Sequence, residues 1–422
     1  MREMKDSGLR WLGKVPVNWK VERLQWHLYE IHEKNNPIRT TNVLSLTNKR
    51  GVIPYKEKGA KGNISKENYN EYHLAYKDTI VANSMNILIG SVGYSDYYGC
   101  VSPVYYVFKE KENNDLHFFN YIMQTTQFQK ELRKYANGIL EIRLRVSSDD
   151  ILKRMIAVPE YSEQKKIAKY LDEQCKKIDG IIAVIQNQID TLEIYKKSII
   201  TKAVTKGLDS NVEMKDSGIS YIGYTPSSWN IRRLKYILQE RNERSIDGSE
   251  ELLSVSQYYG VIPSSENKMR TMQAESLVGY KKVYIGDLVF NKLNPGLARF
   301  GNSKYDGITS PDFAVYVCNG ECNAQFLQYL LKTDRYVTSF KGIGCGVGDG
   351  FARLYTPQLY NFFVSLPPKN ELLKICEFID DKCSQIDSII EDKKMQLETI
   401  ENYKKSLIYE YVTGKKEVQS NE

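Results

Sequence analysis

An α+β protein built from two copies of one globe-and-rod unit is what this sequence predicts, on three observations. The chain repeats itself: MKDSGLRWLGKVPVNWKVERL at 4–24 returns 210 positions later as MKDSGISYIGYTPSSWNIRRL at 214–234. Each copy ends in a long stretch whose apolar residues recur at heptad-like spacing. Between these lie short β-branched runs and helix-spaced apolar segments, the mixture of an α+β globe.

The echo continues to the end of the chain. GVIP at 51–54 recurs at 260–263, Ser102-Pro103 recurs as Ser310-Pro311, and 171–198 matches 379–406 in 13 of 28 positions. A period of about 208 residues is far too long for a solenoid or propeller, and each copy is large enough to bury its own core. The resulting segments are 1–160, a globe; 161–209, a central rod; 210–368, a second globe; and 369–422, a C-terminal rod.

The rods rest on their stripes. Leu171, Ile178, Ile182, Ile185, Ile189 and Leu192 mark the first, with Cys175 among them; Ile379, Ile386, Ile390, Leu397, Ile400 and Leu407 mark the second, with Cys383. No Pro interrupts either stripe, and Lys, Asp, Glu and Gln surround it, so each reads as one long helix with a coiled-coil-like seam. About 40 residues at 1.5 Å each give a rod of roughly 60 Å. Two matched stripes in one chain satisfy each other without a concentration cost, while a coiled coil between two chains is the competing arrangement. Linkers fall at Thr205–Asn211 and after Val412, each with a Gly where a helix would end.

Within the globes, Thr79–Val81, Val104–Phe108, Asp287–Phe290 and Phe313–Val317 read as strands. Phe118–Tyr135 and Ala324–Phe340 read as helices from their apolar spacing. Long Gly-, Asn- and Ser-rich connections join them.

Composition is that of an ordinary soluble globular protein: 41% apolar and 26% charged, with no run approaching the ~18 apolar residues of a membrane span. The charged N-terminus does not resemble a secretory leader, and seven cysteines, an odd number, suit a reduced, cytoplasmic protein. Cys318 and Cys322 lack the partners of a metal half-site. A net charge of +7 is only mildly basic, and a local patch matters more than the sum.

Catalytic motifs are missing from the sequence. The run GIGCGVGDG at 342–350 lacks the following Lys-Ser/Thr of a phosphate-cradling loop, and its counterpart around Asn137-Gly138 is not glycine-rich. No GxSxG, HExxH or P-loop occurs; Asn294-Pro295-Gly296 lacks the second proline and aromatic of an adenine-methyltransferase tetrapeptide. The expectation is a chain with no catalytic residues and no cofactor or metal of its own.

Segments 25–75 and 235–280 align only with gaps, so a duplicated frame carries two divergent faces. The layout, the opening MKDSG with its later Leu-Gly, Pro, Trp and Arg-Leu, the approaches AVPEYSEQKKIA at 157–168 and SLPPKNELLKI at 365–375, and the closing Tyr-Lys-Lys-Ser resemble the DNA-specificity subunits of bacterial type I restriction–modification systems. One departure is Glu163-Gln164 becoming Glu371-Leu372. The resemblance covers essentially the whole chain. It implies two target-recognition domains held apart by two antiparallel coiled-coil helices, with approximate two-fold symmetry, each domain reading half of a split duplex site. It also implies two methyltransferase subunits using S-adenosylmethionine, and motor-nuclease restriction subunits using ATP and Mg, as partners.

A fixed rod would set the half-sites about one helical turn, ~34–36 Å, apart on one face of the duplex. Side chains suited to phosphate and base edges recur at matched positions. Lys49 and Arg50 precede the first GVIP, and Gln257 and Tyr258 precede the second. Asn83 and Asn86 correspond to Asn291 and Asn294, beside Lys292. Arg145 corresponds to Arg353, with Arg143 an extra in the first copy. Two other classes compete with a DNA-specificity subunit: a protein-interaction scaffold with paired rods, and an enzyme with unrecognised motifs.

Overall fold

The computed structural model describes residues 2–47, 50–59, 68–138, 144–257, 260–266, 276–343, 345–346 and 352–419. Its α-helices, in chain order, are α1 (Leu116–Gln124), α2 (Thr126–Leu132), α3 (Ser148–Leu152), α4 (Tyr161–Lys206), α5 (Ala324–Leu331), α6 (Asp334–Ile343), α7 (Thr356–Tyr360) and α8 (Lys369–Val412). Two compact units form: Met1–Gln186 with Lys394–Glu422, and Asn187–Lys393. Each unit therefore contains part of α4 and part of α8.

In the first unit, Met4–Asp6 and Lys14–Pro16 make an antiparallel ribbon, and Lys20–Arg23 pairs with Met155–Val158 just ahead of α4. The central sheet is antiparallel and four-stranded, in the order Leu28–Glu30, Tyr105–Glu110, Thr79–Asn83, Val92–Ser95. Thr79–Asn83 is apolar at consecutive positions because both faces are covered. Ile80 and Ala82 join the main core with Phe118, Phe119 and Phe128, whereas Val81 meets Leu44, Leu46 and Val52 of the hairpin Leu44–Thr47/Gly51–Pro54. Alternation of side chains across a strand produces this split.

The second unit repeats the plan. Its sheet runs Leu238–Glu240, Phe313–Cys318, Leu288–Asn291, Phe300–Asn302, and its hairpin is Leu253–Ser256/Gly260–Pro263. Phe290, Phe300, Phe326 and Phe340 fill its core.

The single helices expected over Phe118–Tyr135 and Ala324–Phe340 are each broken once. Thr125 ends α1 and starts α2, its hydroxyl donating to the Ile122 carbonyl (2.8 Å) and accepting from the Phe128 amide (3.3 Å). Thr333 donates to the Leu330 carbonyl in the same way (2.8 Å). Apolar spacing passes across both breaks; a threonine hydroxyl capping the backbone does not alter that pattern.

The two long helices are unbroken and run antiparallel within each unit. In the first, Leu171, Cys175 and Ile178 share a core with Leu407, Ile408, Tyr411 and Val412, with Ile182 and Ile400 at its margin. Tyr170 and Tyr411 lie with ring centroids 4.6 Å apart, and Lys404 Nζ reaches Asp179 at 2.6 Å. In the second, Lys196 meets Asp387 at 2.6 Å and Lys393 meets Gln188 at 2.7 Å. Ile185, Ile189, Ile379, Ile386 and Ile390 are buried; Leu192 and Leu397 are half-buried. The seam is satisfied inside one chain.

A repeated joint fastens the helices to the globes. Trp19, fully buried, donates its indole N–H to Glu163 in the first turn of α4 (3.2 Å), and Arg2 pairs with the same carboxylate. Trp229 donates likewise to Glu371 of α8 (3.2 Å). The far end of the other helix closes on each joint through a left-handed glycine. Gly414 (φ +69°) lies against Pro16 and Trp19, and Gly207 (φ +76°) against Glu371 and Trp229. The Gln164/Leu372 difference has a local cause: buried Gln164 accepts from the Asp115 amide (2.9 Å) and donates to the Pro159 carbonyl (3.0 Å), while Leu372 packs into an apolar core.

Candidate nucleic-acid interface

In the first unit Asn83 ends a central strand, and its buried side-chain oxygen accepts from the amides of Met85 (2.9 Å) and Asn86 (3.3 Å), turning the chain at once. Ser84 then fixes two other segments: its amide donates to the Val104 carbonyl (3.0 Å), and its carbonyl accepts from the Val146 amide (3.1 Å). Asn137 and Arg145 exchange two backbone hydrogen bonds, 2.8 and 2.9 Å. Asn83, exposed Asn86 and exposed Arg145 thus belong to one stitched group of loops. Tyr106 lies in the same group. Burial pushes its hydroxyl pKa up and Glu30 adds to this, while Ser148, Arg145 and Ser84 pull it back.

The second unit builds the same knot. Asn291 accepts from the Leu293 amide (2.9 Å), the Lys292 carbonyl accepts from Leu354 (2.9 Å), the Asn294 amide donates to Ala352 (2.8 Å), and Leu293 bridges to Arg353. Asn294 takes φ +50°, a left-handed conformation that asparagine tolerates. Arg353 donates from Nη2 to Asp312 (2.7 Å), and its guanidinium lies 5.7 Å from the Tyr355 ring centroid. Lys292 is half-buried; burial depresses its pKa, Lys281 and Arg353 depress it further, and Glu240 and Asp312 oppose them. The structure therefore brings Asn291, Lys292, Asn294 and Arg353 together.

Arg50 and Gln257 lie instead at the hairpin turns. Arg50 is paired with Glu57 at 2.9 Å, and the carbonyl of exposed Gln257 accepts from Lys332 (3.3 Å), whose pKa burial pushes down to about 8. Each hairpin crosses the sheet at glycines: a Cβ on Gly93 would stand 3.2 Å from Gly51 Cα, and one on Gly301 2.8 Å from Gly260 Cα. Lys49, Arg143 and Tyr258 lie outside the described residues.

Sequence reasoning passed over three members of this neighbourhood. Lys281, buried, pairs with Glu240 at 2.9 Å. Burial works to raise the Glu240 pKa, but hydrogen bonds from Lys281 and Thr356 hold it below the usual carboxylate range. Asp312 directly follows the repeated Ser-Pro, where the first copy has Val104; comparing the copies at that position was the available signal. Tyr106 gave none, being one of 31 tyrosines. Among the described residues, no group of three or more His, Cys, Asp or Glu side chains is arranged to hold a metal ion, and no helix is long and apolar enough to cross a membrane.

Residues 16–191 match the family model described as the type I restriction modification DNA specificity domain. The chain is 24% identical to the type I restriction enzyme MjaVIII specificity subunit of Methanocaldococcus jannaschii, over 96% of this chain and 95% of that protein. Among solved structures, the fold is similar to a chain of a type I R-M system structure concerned with complex assembly and conformational transition. The TM-score is 0.68 at 11% identity, covering 95% of this chain and 99% of that one. It is also similar to the HsdS subunit of Thermoanaerobacter tengcongensis, with a TM-score of 0.50 at 11% identity over 95% and 98%.

Proposed function

We propose that this chain is a DNA-specificity subunit of a type I restriction–modification system, as the specificity-domain match over residues 16–191 and the full-length relative support, and that it reads a split duplex site, one unit per half-site, as the address-giving member of a larger complex. The observation that carries the reading is the loop knot built twice. An asparagine ends a central strand, an arginine is brought beside it from a distant loop, and the surrounding residues differ between copies. Basic and amide side chains on loops held by a rigid sheet are the groups that contact phosphates and base edges. The proposed contacts are Arg50, Asn86 and Arg145 in the first unit and Gln257, Lys292, Asn294 and Arg353 in the second. Asn83 and Asn291 shape the loops.

Catalysis falls to partners in this proposal: two methyltransferase subunits using S-adenosylmethionine and restriction subunits using ATP and Mg. Two equivalent partners suit the helices, because each unit exposes the same apolar pair. Ile181 and Tyr403 are 50% and 57% exposed in the first unit; Ile389 and Tyr195 are 45% and 57% exposed in the second. Solvent-exposed apolar side chains at repeated positions are what two copies of one partner would cover.

The test is co-expression with a methyltransferase partner and mapping of methylated adenines, before and after exchanging residues 25–160 for another reader. A split motif in which the exchange alters one half is the expected result. Alteration of both halves, or methylation without a split motif, refutes the reading.

A further inference from the structure

Several polar side chains at the second unit's knot already hold contacts within the fold. The Asn291 oxygen is bound by Leu293 and the Asn294 oxygen by Ala352 (3.4 Å), while Lys292 is half-buried beside Lys281 and Glu240. A charged pair beside them also reaches solvent. The Asp312 side chain is 64% exposed and that of Arg353 24%. Only one Nη2 proton of Arg353 and one Asp312 oxygen, Oδ1, are joined, at 2.7 Å. Arg353 Nη1 and Asp312 Oδ2 make no hydrogen bond to a described residue, and Arg353 Nε is buried without a partner among them.

We propose that Arg353 and Asp312 together form a base-reading pair of the second unit, and that its half-site contains a G·C pair recognised by both. This rests on the DNA-reading function proposed above. Beyond the proton given to Asp312, Nη1 and a second Nη2 proton remain as donors, and two guanidinium donors side by side are the complement of guanine O6 and N7 in the major groove. The uncommitted carboxylate oxygen accepts from the N4 amino group of the paired cytosine. A carboxylate facing phosphates alone would be repelled, so an exposed aspartate at this knot fits a role at base edges, where an amino group meets it. The Asp312 end of the pair is 64% exposed, which limits what the pair adds to folding. The first copy has the equivalent arginine, Arg145, but Val104 in place of the aspartate. The donor–acceptor combination therefore belongs to the second unit, and the two half-sites differ at the matching base pair.

The full chain, assembled with its methyltransferase partner, is tested against a randomised duplex library as wild type, Asp312→Asn, Asp312→Val and Arg353→Lys. The wild type should fix a G·C pair at one position of the second half-site. Each variant should lower the preference there by about 5- to 150-fold, the range of one good base contact, and leave the first half unchanged. Valine is the residue at this position of the first copy, and an unchanged melting temperature identifies a folded variant; if both aspartate variants fail to assemble, Arg353→Lys alone carries the test. A second half-site without a fixed G·C pair overturns the inference. So does an unchanged base profile in the variants with affinity lowered equally on all sequences, which would make Arg353 a phosphate contact. A wild-type complex with no split motif is a different failure, that of the proposed function.

Discussion

The joint at each globe makes a graded prediction from three glycines with nearly the same backbone. Gly8, Gly207 and Gly414 have φ of +70°, +76° and +69°, and they differ in what an added Cβ would meet. At Gly8 nothing lies within 4 Å, so Gly8→Ala carries only the left-handed backbone term, about 1–2 kcal/mol. At Gly207 the new carbon would lie 2.8 Å from Glu371 Oε1. Displacing that carboxylate strips the acceptor from the buried Trp229 indole, adding about 1–3 kcal/mol. At Gly414 the neighbours are Pro16 ring carbons at 2.4 and 2.5 Å, which have no flexible end to swing away; overpacking there adds about 1–3 kcal/mol. Scanning calorimetry of the full chain reads the result. For a unit of this size, each ~1 kcal/mol moves the melting point by about 2–4 °C, so Gly207→Ala and Gly414→Ala should melt below Gly8→Ala by at least that interval. Glu371→Ala should be non-additive with Gly207→Ala, since it removes the atom the new carbon strikes. Equal melting of all three variants, or strict additivity of the pair, would refute the joint as an energetic feature.

Two further outcomes follow from charged pairs. His117 Nδ1 lies 3.3 Å from Asp172 of α4, and the hydrogen bond raises the imidazole pKa against the effect of burial. Burial favours the neutral form of Asp172, yet hydrogen bonds from His117 and Tyr121 keep its carboxyl below the usual value. A raised histidine contributes stability fully below its unfolded value, 6.5, and loses it as pH rises through the folded value; the depressed carboxylate loses its share as pH falls through its own. His117→Gln, which copies the second unit's Gln325 bonded to Asp380 at 2.6 Å, should therefore flatten the fall in melting temperature as pH rises above 6.5; an unchanged pH profile would show that the pair does not couple. In the second unit, Glu240→Leu alone leaves the buried Lys281 ammonium unpaired and should destabilise by about 3–5 kcal/mol, whereas adding Lys281→Met should recover much of that loss. Urea unfolding of the single and double variants checks this, and additive losses would count against it.

The rods and the central strands were legible because each is written as a period. Heptad spacing gave α4 and α8, and continuous β-branched runs gave the strands around Ile80 and Val289, whose neighbours pack on opposite faces of the sheet. The breaks at Thr125 and Thr333 were not legible, since a threonine suits a helix surface as well as a cap and the apolar spacing continues through it. The knots were less visible still. Ser84 binds Val146, and Leu293 bridges to Arg353, through backbone groups that every residue possesses, so no side-chain pattern announces them. The repeated asparagines could be found by comparing the copies, but their chemistry could not. An amide that reads adenine and an amide that closes an Asx turn look alike in sequence, and at Asn83 and Asn291 the backbone takes the oxygen.

Two copies in one chain also show which residues physical constraint holds in place. Glu163 and Glu371 both accept from a fully buried tryptophan N–H, a donor that would otherwise be orphaned, so a carboxylate stands at both joints. The next position differs freely because each alternative satisfies its own surroundings: Gln164 bonds the Asp115 amide and the Pro159 carbonyl, and Leu372 enters an apolar core. The knots divide in the same way. The strand-ending asparagine and the arginine recur, and both are tied into backbone that the loops need to hold their shape. Val104 and Asp312 differ in side chain: the buried Ser84 amide uses only the Val104 backbone carbonyl, and the Asp312 carboxylate, 64% exposed, accepts from Arg353. At these two positions the copies vary while the buried hydrogen bonds of the frame stay in place. This is the physical condition under which the surface of a unit can acquire new specificity while its sheet and joint stay intact, and the position held by Val104 and Asp312 meets it.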